Sequence, residues 1–145
     1  MKTTVLLVED NKGQRLVNTR ILHKAGYTVL HADDGEAALR VAREQVPNLI
    51  LLDMLLPKLG GPEVLHALKQ DPVTAPIPVI VLSSLPQVNA AKLRTEGAAD
   101  YFEKSRLVAD AAGPEAFFDM VEKVLRESGQ QNQEAVPPGS LPNRH

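Results

Sequence analysis

Short runs of consecutive aliphatic residues alternate along this chain with longer segments in which apolar residues recur every three or four positions. The runs VLLV (residues 5–8), YTVLHA (27–32), NLILLD (48–53), IPVIVLSS (77–84) and AADYFEK (98–104) predict strands. The first, third and fourth are apolar at successive positions, as strands covered on both faces must be. Between them lie helical patterns. Residues 11–25 put Val17, Ile21 and Ala25 on one stripe with Leu22 beside it, and Gly26 follows as a C-cap. Asp34 is placed to cap a helix bearing Ala38, Leu39 and Ala42. Gly61-Pro62 opens a third helix with Val64, Leu65 and Leu68, proline suiting the first helical position. Residues 87–96 predict a weaker, Ala-rich helix closed by Gly97, and Gly113-Pro114 starts a last one with Phe117, Val121 and Leu125.

Strict strand-helix alternation predicts an α/β doubly wound parallel sheet, because parallel neighbours require right-handed crossovers. In such sheets ligands bind beyond the carboxyl ends of the strands. The polar residues of these strands collect at that end: Glu9-Asp10 after the first, Asp53 ending the third, Ser83-Ser84 the fourth and Lys104 the fifth. Taken singly, each has an ordinary reading as a cap, a turn residue or a solvated charge. Together they put three carboxylates, a hydroxyl and an ammonium into one crevice.

Composition narrows what that crevice can do. With 145 residues and 43% hydrophobic content, one domain with a real core is expected over residues 1–128, followed by a polar, proline-rich tail over 129–145. The absence of cysteine removes disulfides, thiolate zinc sites and thiol nucleophiles. A net charge of −2, scattered basic residues and 3% aromatic content argue against direct nucleic-acid binding. The apolar run near the N-terminus is too short for a signal peptide and no run approaches a membrane span, so a cytoplasmic protein without membrane insertion is expected. The four histidines fall in no pattern that suggests a phosphohistidine or a metal ligand.

The segment LILLDMLLP (49–57) sets one aspartate in an aliphatic run, which is costly unless that carboxylate is paired, hydrogen-bonded or metal-bound. Crowded carboxylates repel one another, and a hard divalent cation such as Mg²⁺ relieves the repulsion with oxygen ligands. The chemistry this group suits is phosphoryl transfer to a carboxylate, with Asp53 as nucleophile. Lys104, Ser83 and the Ser84 amide would meet the charge spread over the transferred oxygens.

The motifs VEDN after the first strand, D-x-x-x-P-x-x-x-G at Asp53, Pro57 and Gly61, Ser83 after VIVLS, and Y-x-x-K at Tyr101 and Lys104 closely resemble a response-regulator receiver domain of bacterial two-component signalling. The resemblance implies a flavodoxin-like (βα)₅ fold with strand order 2-1-3-4-5. It implies phosphorylation of Asp53 by a histidine kinase or histidine phosphotransfer protein, with Mg²⁺ held by Asp10, Asp53, the Leu55 carbonyl and, through water, Glu9. Ser83 and Tyr101 are then expected to move together and rearrange the surface of the fourth helix, fifth strand and fifth helix. Such a protein is not a conventional enzyme; it catalyses its own phosphorylation and slow dephosphorylation, and acts on a downstream target protein by binding.

Some positions depart from the family. Ser105 stands where proline usually follows the lysine, and a cis bond to a non-proline costs about 2.5–4 kcal/mol, so a trans Lys104–Ser105 bond is expected. The segment leading to the last helix is long. Leu55 and Leu85, placed by the resemblance beside the path of the hydrolytic water, cannot hydrogen-bond it, so a long-lived phosphoryl group is expected. A dinucleotide fold lacks its G-x-G-x-x-G here, and a dehalogenase-like phosphatase lacks its second acid at position 55. The remaining alternative is a pseudo-receiver, a binding module of this fold that works without phosphorylation.

Overall fold

In the computed structural model of the protein, residues 3–54, 56, 58–83, 90–104 and 113–129 are described. Expectations at Leu55, Pro57, Ser84, Leu85 and the start of the fourth helix lie outside the described residues, as do those for the Lys104–Ser105 bond and the tail beyond residue 129.

Strands and helices alternate in the order β1 (Thr4–Val8), α1 (Lys12–Lys24), β2 (Thr28–Ala32), α2 (Gly35–Gln45), β3 (Leu49–Asp53), α3 (Gly61–Gln70), β4 (Val79–Ser83), α4 (Ala90–Thr95), β5 (Asp100–Glu103) and α5 (Gly113–Ser128). The strands form one parallel sheet in the order β2-β1-β3-β4-β5, the flavodoxin-like doubly wound order. β3 and β4 are buried at every position and β1 at all but its first, which matches their unbroken apolar runs. The edge strands β2 and β5 are only partly covered.

Two apolar layers follow from the alternation of side chains across the sheet. One joins Leu6, Val8, Ile50, Leu52, Val79 and Val81 to residues of α2, α3 and α4. The other joins Leu7, Leu51, Ile80 and Leu82 to Leu22 of α1 and to Phe117, Val121 and Leu125 of α5. In it Phe102 and Phe117 meet edge to face with ring centroids 5.3 Å apart, a favoured aromatic geometry.

Most helix ends follow their local chemistry. The Asp34 side chain accepts from the Ala37 N–H at 2.8 Å and caps α2. Gly26 takes a φ of +91° just past α1, and its N–H bonds the His23 carbonyl at 2.9 Å. Pro62 sits second in α3 rather than first, still in the turn whose N–H groups have no helical partner. α2 ends without glycine: Val46 is left-handed at φ 44° and the buried Pro47 follows, which cannot extend the helix.

The stripe expected on α1 is corrected. Asn18 and Leu22 are its buried residues, Val17 and Ile21 are half-buried and Ala25 is exposed. The helix docks through Leu22, and a position four residues earlier must face the sheet with it. That position happens to be an asparagine, which hydrophobic patterning assigns to solvent. Among the described residues, neither polar atom of the Asn18 side chain has a hydrogen-bond partner.

Candidate functional site

β1 stops at Val8, but the ladder continues for one more bond. The Glu9 N–H donates to the Ala32 carbonyl at 3.0 Å, which holds Glu9 in line with the strand and fully buried. Asn11 then does two things. Its N–H donates to Glu9 Oε2 at 3.2 Å, and its side-chain oxygen accepts from the Gln14 N–H at 2.8 Å to cap α1. Asp10, between them, is exposed.

Asp53 ends β3 and is 3% exposed. The chain after it is held by two backbone bonds, Met54 N–H to Leu82 O at 3.1 Å and Gly61 N–H to Met54 O at 3.2 Å. Gly61 is required by close approach: a Cβ there would lie 2.6 Å from Met54 Cα and 2.8 Å from the Asp53 carbonyl oxygen. Lys104 is anchored by its N–H to the Ser83 carbonyl at 2.7 Å, and its ammonium lies 3.0 Å from Glu9 Oε1 and 3.3 Å from Asp53 Oδ2.

Glu9, Asp10 and Asp53 each offer a carboxylate oxygen within 4.8 Å of the others. Burial and the neighbouring Asp53 charge push the Glu9 carboxyl above its ordinary pKa, against the opposing pull of Lys104. Burial alone would lower the Lys104 pKa, but Glu9 and Asp53 outweigh it and hold the ammonium charged beyond its ordinary range. One ammonium therefore faces three carboxylates. The surplus of hard, converging oxygens fits a divalent cation that keeps some of its waters.

Of the residues expected in the crevice, Glu9, Asp10, Asp53 and Lys104 come together at the carboxyl end of the sheet. Ser83 ends β4 beside them, 6% exposed, one residue beyond the Leu82 that pairs with Asp53. Tyr101 is half-buried on β5 and packs on the layer beneath α2, α3 and α4. Asn11 carries a role that its place in VEDN did not disclose. The available signal was a capping residue three positions before Gln14, a pattern that marks helix starts.

Residues 5–110 match the response regulator receiver domain family. The chain is 39% identical over 83 residues to histidine kinase P4 of Formosa agariphila, a match covering 57% of this chain and 6% of the kinase. To the protein PilH of Pseudomonas aeruginosa it is 32% identical over 101 residues, covering 69% of this chain and 84% of PilH. The receiver domain of the sensor histidine kinase PA1611 from P. aeruginosa, solved with a magnesium ion coordinated in its active-site cleft, superposes with a TM-score of 0.74 at 25% identity, covering 87% of this chain and 99% of that one. With these similarities and this arrangement of strand ends, the chain belongs to the response regulator receiver domain family.

Proposed function

We propose that the protein is a phosphorylation-dependent switch that accepts a phosphoryl group on Asp53 from a histidine kinase or histidine phosphotransfer protein and signals to a downstream target protein in the cytoplasm. The observation that carries this reading is the buried Asp53 carboxylate with the Lys104 ammonium 3.3 Å away and the Glu9 and Asp10 oxygens within 4.8 Å. An Asp53 oxygen attacks phosphorus as the bond to the donor imidazole nitrogen breaks, leaving an acyl phosphate on Asp53 and, with a proton on the ring's other nitrogen, a neutral histidine on the donor.

The two bonds flanking Met54, with the clearance at Gly61, hold the nucleophile still while the donor approaches in line. Lys104 is placed to leave its carboxylate partners and pair with the phosphoryl oxygens. The Ser83 hydroxyl and the Ser84 amide would take the remaining oxygens, and Ser83 and Tyr101 would carry the change toward α4, β5 and α5. Asp10, Asp53, the Leu55 carbonyl and, through water, Glu9 would hold Mg²⁺, which when bound supplies positive charge against the transferred oxygens.

The test is incubation with acetyl phosphate and Mg²⁺ followed by intact-mass measurement. Wild type should gain one phosphoryl group and Asp53→Asn none. A wild type that binds Mg²⁺ yet gains nothing is a pseudo-receiver.

A further inference from the structure

The same end of the sheet carries a second opening of opposite charge. A crevice of about 340 Å³ is lined by Arg15 of α1, by His31, Ala32 and Asp33 at the end of β2, and by Ala37 and Arg40 of α2. β2 is the neighbour of β1, so this crevice lies next to the carboxylate pocket, but its lining includes none of Glu9, Asp10, Asp53 and Lys104 and is a distinct set of residues. Two guanidiniums line it against one carboxylate. Among the described residues neither Arg15 nor Arg40 is in an ion pair. The one side-chain bond described for Arg15 is a long one, Nη1 to the Glu9 carbonyl at 3.4 Å.

His31 lines the crevice as well, and its tautomer can be worked out. The Thr19 hydroxyl donates its single hydrogen to the Arg15 carbonyl at 2.7 Å, so it can only accept from His31 Nε2, which lies 3.0 Å away. Nε2 therefore carries the hydrogen and Nδ1 is the nitrogen that gains a proton. Burial, Arg15 and His23 all lower the His31 pKa, while Arg40 and Asp33 share the crevice with it. An anion in the crevice would relieve that cationic crowding.

We propose that the crevice binds a dianionic phosphate group, held by the guanidiniums of Arg15 and Arg40 beside His31. Two planar forks suit a tetrahedral dianion. The group arrives as free inorganic phosphate or on a small phosphate monoester.

The test uses the intact chain in EDTA at constant ionic strength, with chloride as the balancing salt. Inorganic phosphate and phenyl phosphate are titrated separately while the His31 ring resonances are followed by NMR. We expect a saturable shift of His31 and a rise in its titration midpoint, with the tighter of the two ligands naming the source. Arg40→Gln, at an exposed position and with folding checked by thermal melting, should weaken binding about fivefold or more. Shifts that rise linearly without saturation, or an Arg40→Gln protein that binds as tightly as wild type, would overturn the proposal. Phosphoryl transfer to Asp53 is read separately by mass, so failure of either idea leaves the other standing.

Discussion

At the ends of β1 and β3, two carboxylates are buried and depend on the same ammonium, whereas at the end of β2 the guanidiniums of Arg15 and Arg40 stay in or near water with no ion pair among the described residues. The two openings touch through Glu9. Its side chain belongs to the carboxylate pocket, and its backbone carbonyl accepts from Arg15 and its N–H bonds Ala32 beside the crevice. Their difference is one of burial more than of sign. Charges removed from water are set by one another, so a single change there leaves a partner uncompensated. Solvated charges are nearly independent, and removing one changes affinity for a ligand more than it changes the fold.

The largest effect should follow from taking the ammonium out of the buried set. Lys104→Met should destabilise the metal-free protein by roughly 2 kcal/mol, a value below the usual cost of breaking a buried pair because Lys104 is partly solvated. Urea denaturation checks this, and Mg²⁺ should narrow the deficit by neutralising the carboxylates left behind. A loss under about 0.5 kcal/mol would mean that the pocket behaves like the solvated crevice.

Asp10→Asn should weaken Mg²⁺ binding by roughly tenfold or more, since it removes a charged oxygen from a small hard-ligand set. Isothermal titration measures it. Unchanged affinity would take Asp10 out of the metal site.

A pH dependence follows from the raised pKa of Glu9. Between the ordinary carboxylate range and that raised value, the folded protein binds more protons than the unfolded chain, so stability falls as pH rises through the window. Lys104 does not offset this slope, because its own raised pKa lies above 10.5 and its contribution is lost only as pH rises through that value. Melting of the metal-free protein from pH 4.5 to 7 should therefore show wild type losing stability relative to Glu9→Gln, by at most about 1.4 kcal/mol per pH unit. Parallel curves for the two proteins would remove the assignment.

Arg40→Gln completes the contrast with the smallest effect. Its stability should stay within about 0.5 kcal/mol of wild type across the same range, as expected of a solvated charge. A clear loss in its melting temperature would show that the crevice charges are structurally engaged after all.

Local pattern was enough to place most of the architecture. Unbroken aliphatic runs marked β1, β3 and β4 as doubly covered, because only a strand buried on both faces tolerates them. Period and caps placed α2, α3 and α5 with their buried residues, and the alternation of elements brought Glu9, Asp10, Asp53 and Lys104 to one end of the sheet. Each of these follows from residues near one another in the chain. What tertiary packing alone decided involves distant partners. The burial of Asn18 depends on how α1 rolls onto the sheet, and no run of neighbours reports that angle. Lys104 pairs with Glu9 as well as with Asp53 because its side chain extends from the end of edge strand β5 over the strand ends toward β1, which a list of strand-end residues does not disclose. The need for glycine at position 61 is set by the backbone that follows Asp53, visible only once α3 is docked. The cationic crevice draws Arg15, His31 and Arg40 from three elements, each of which alone reads as an ordinary solvated residue, and it exists because α1 and α2 straddle the end of β2.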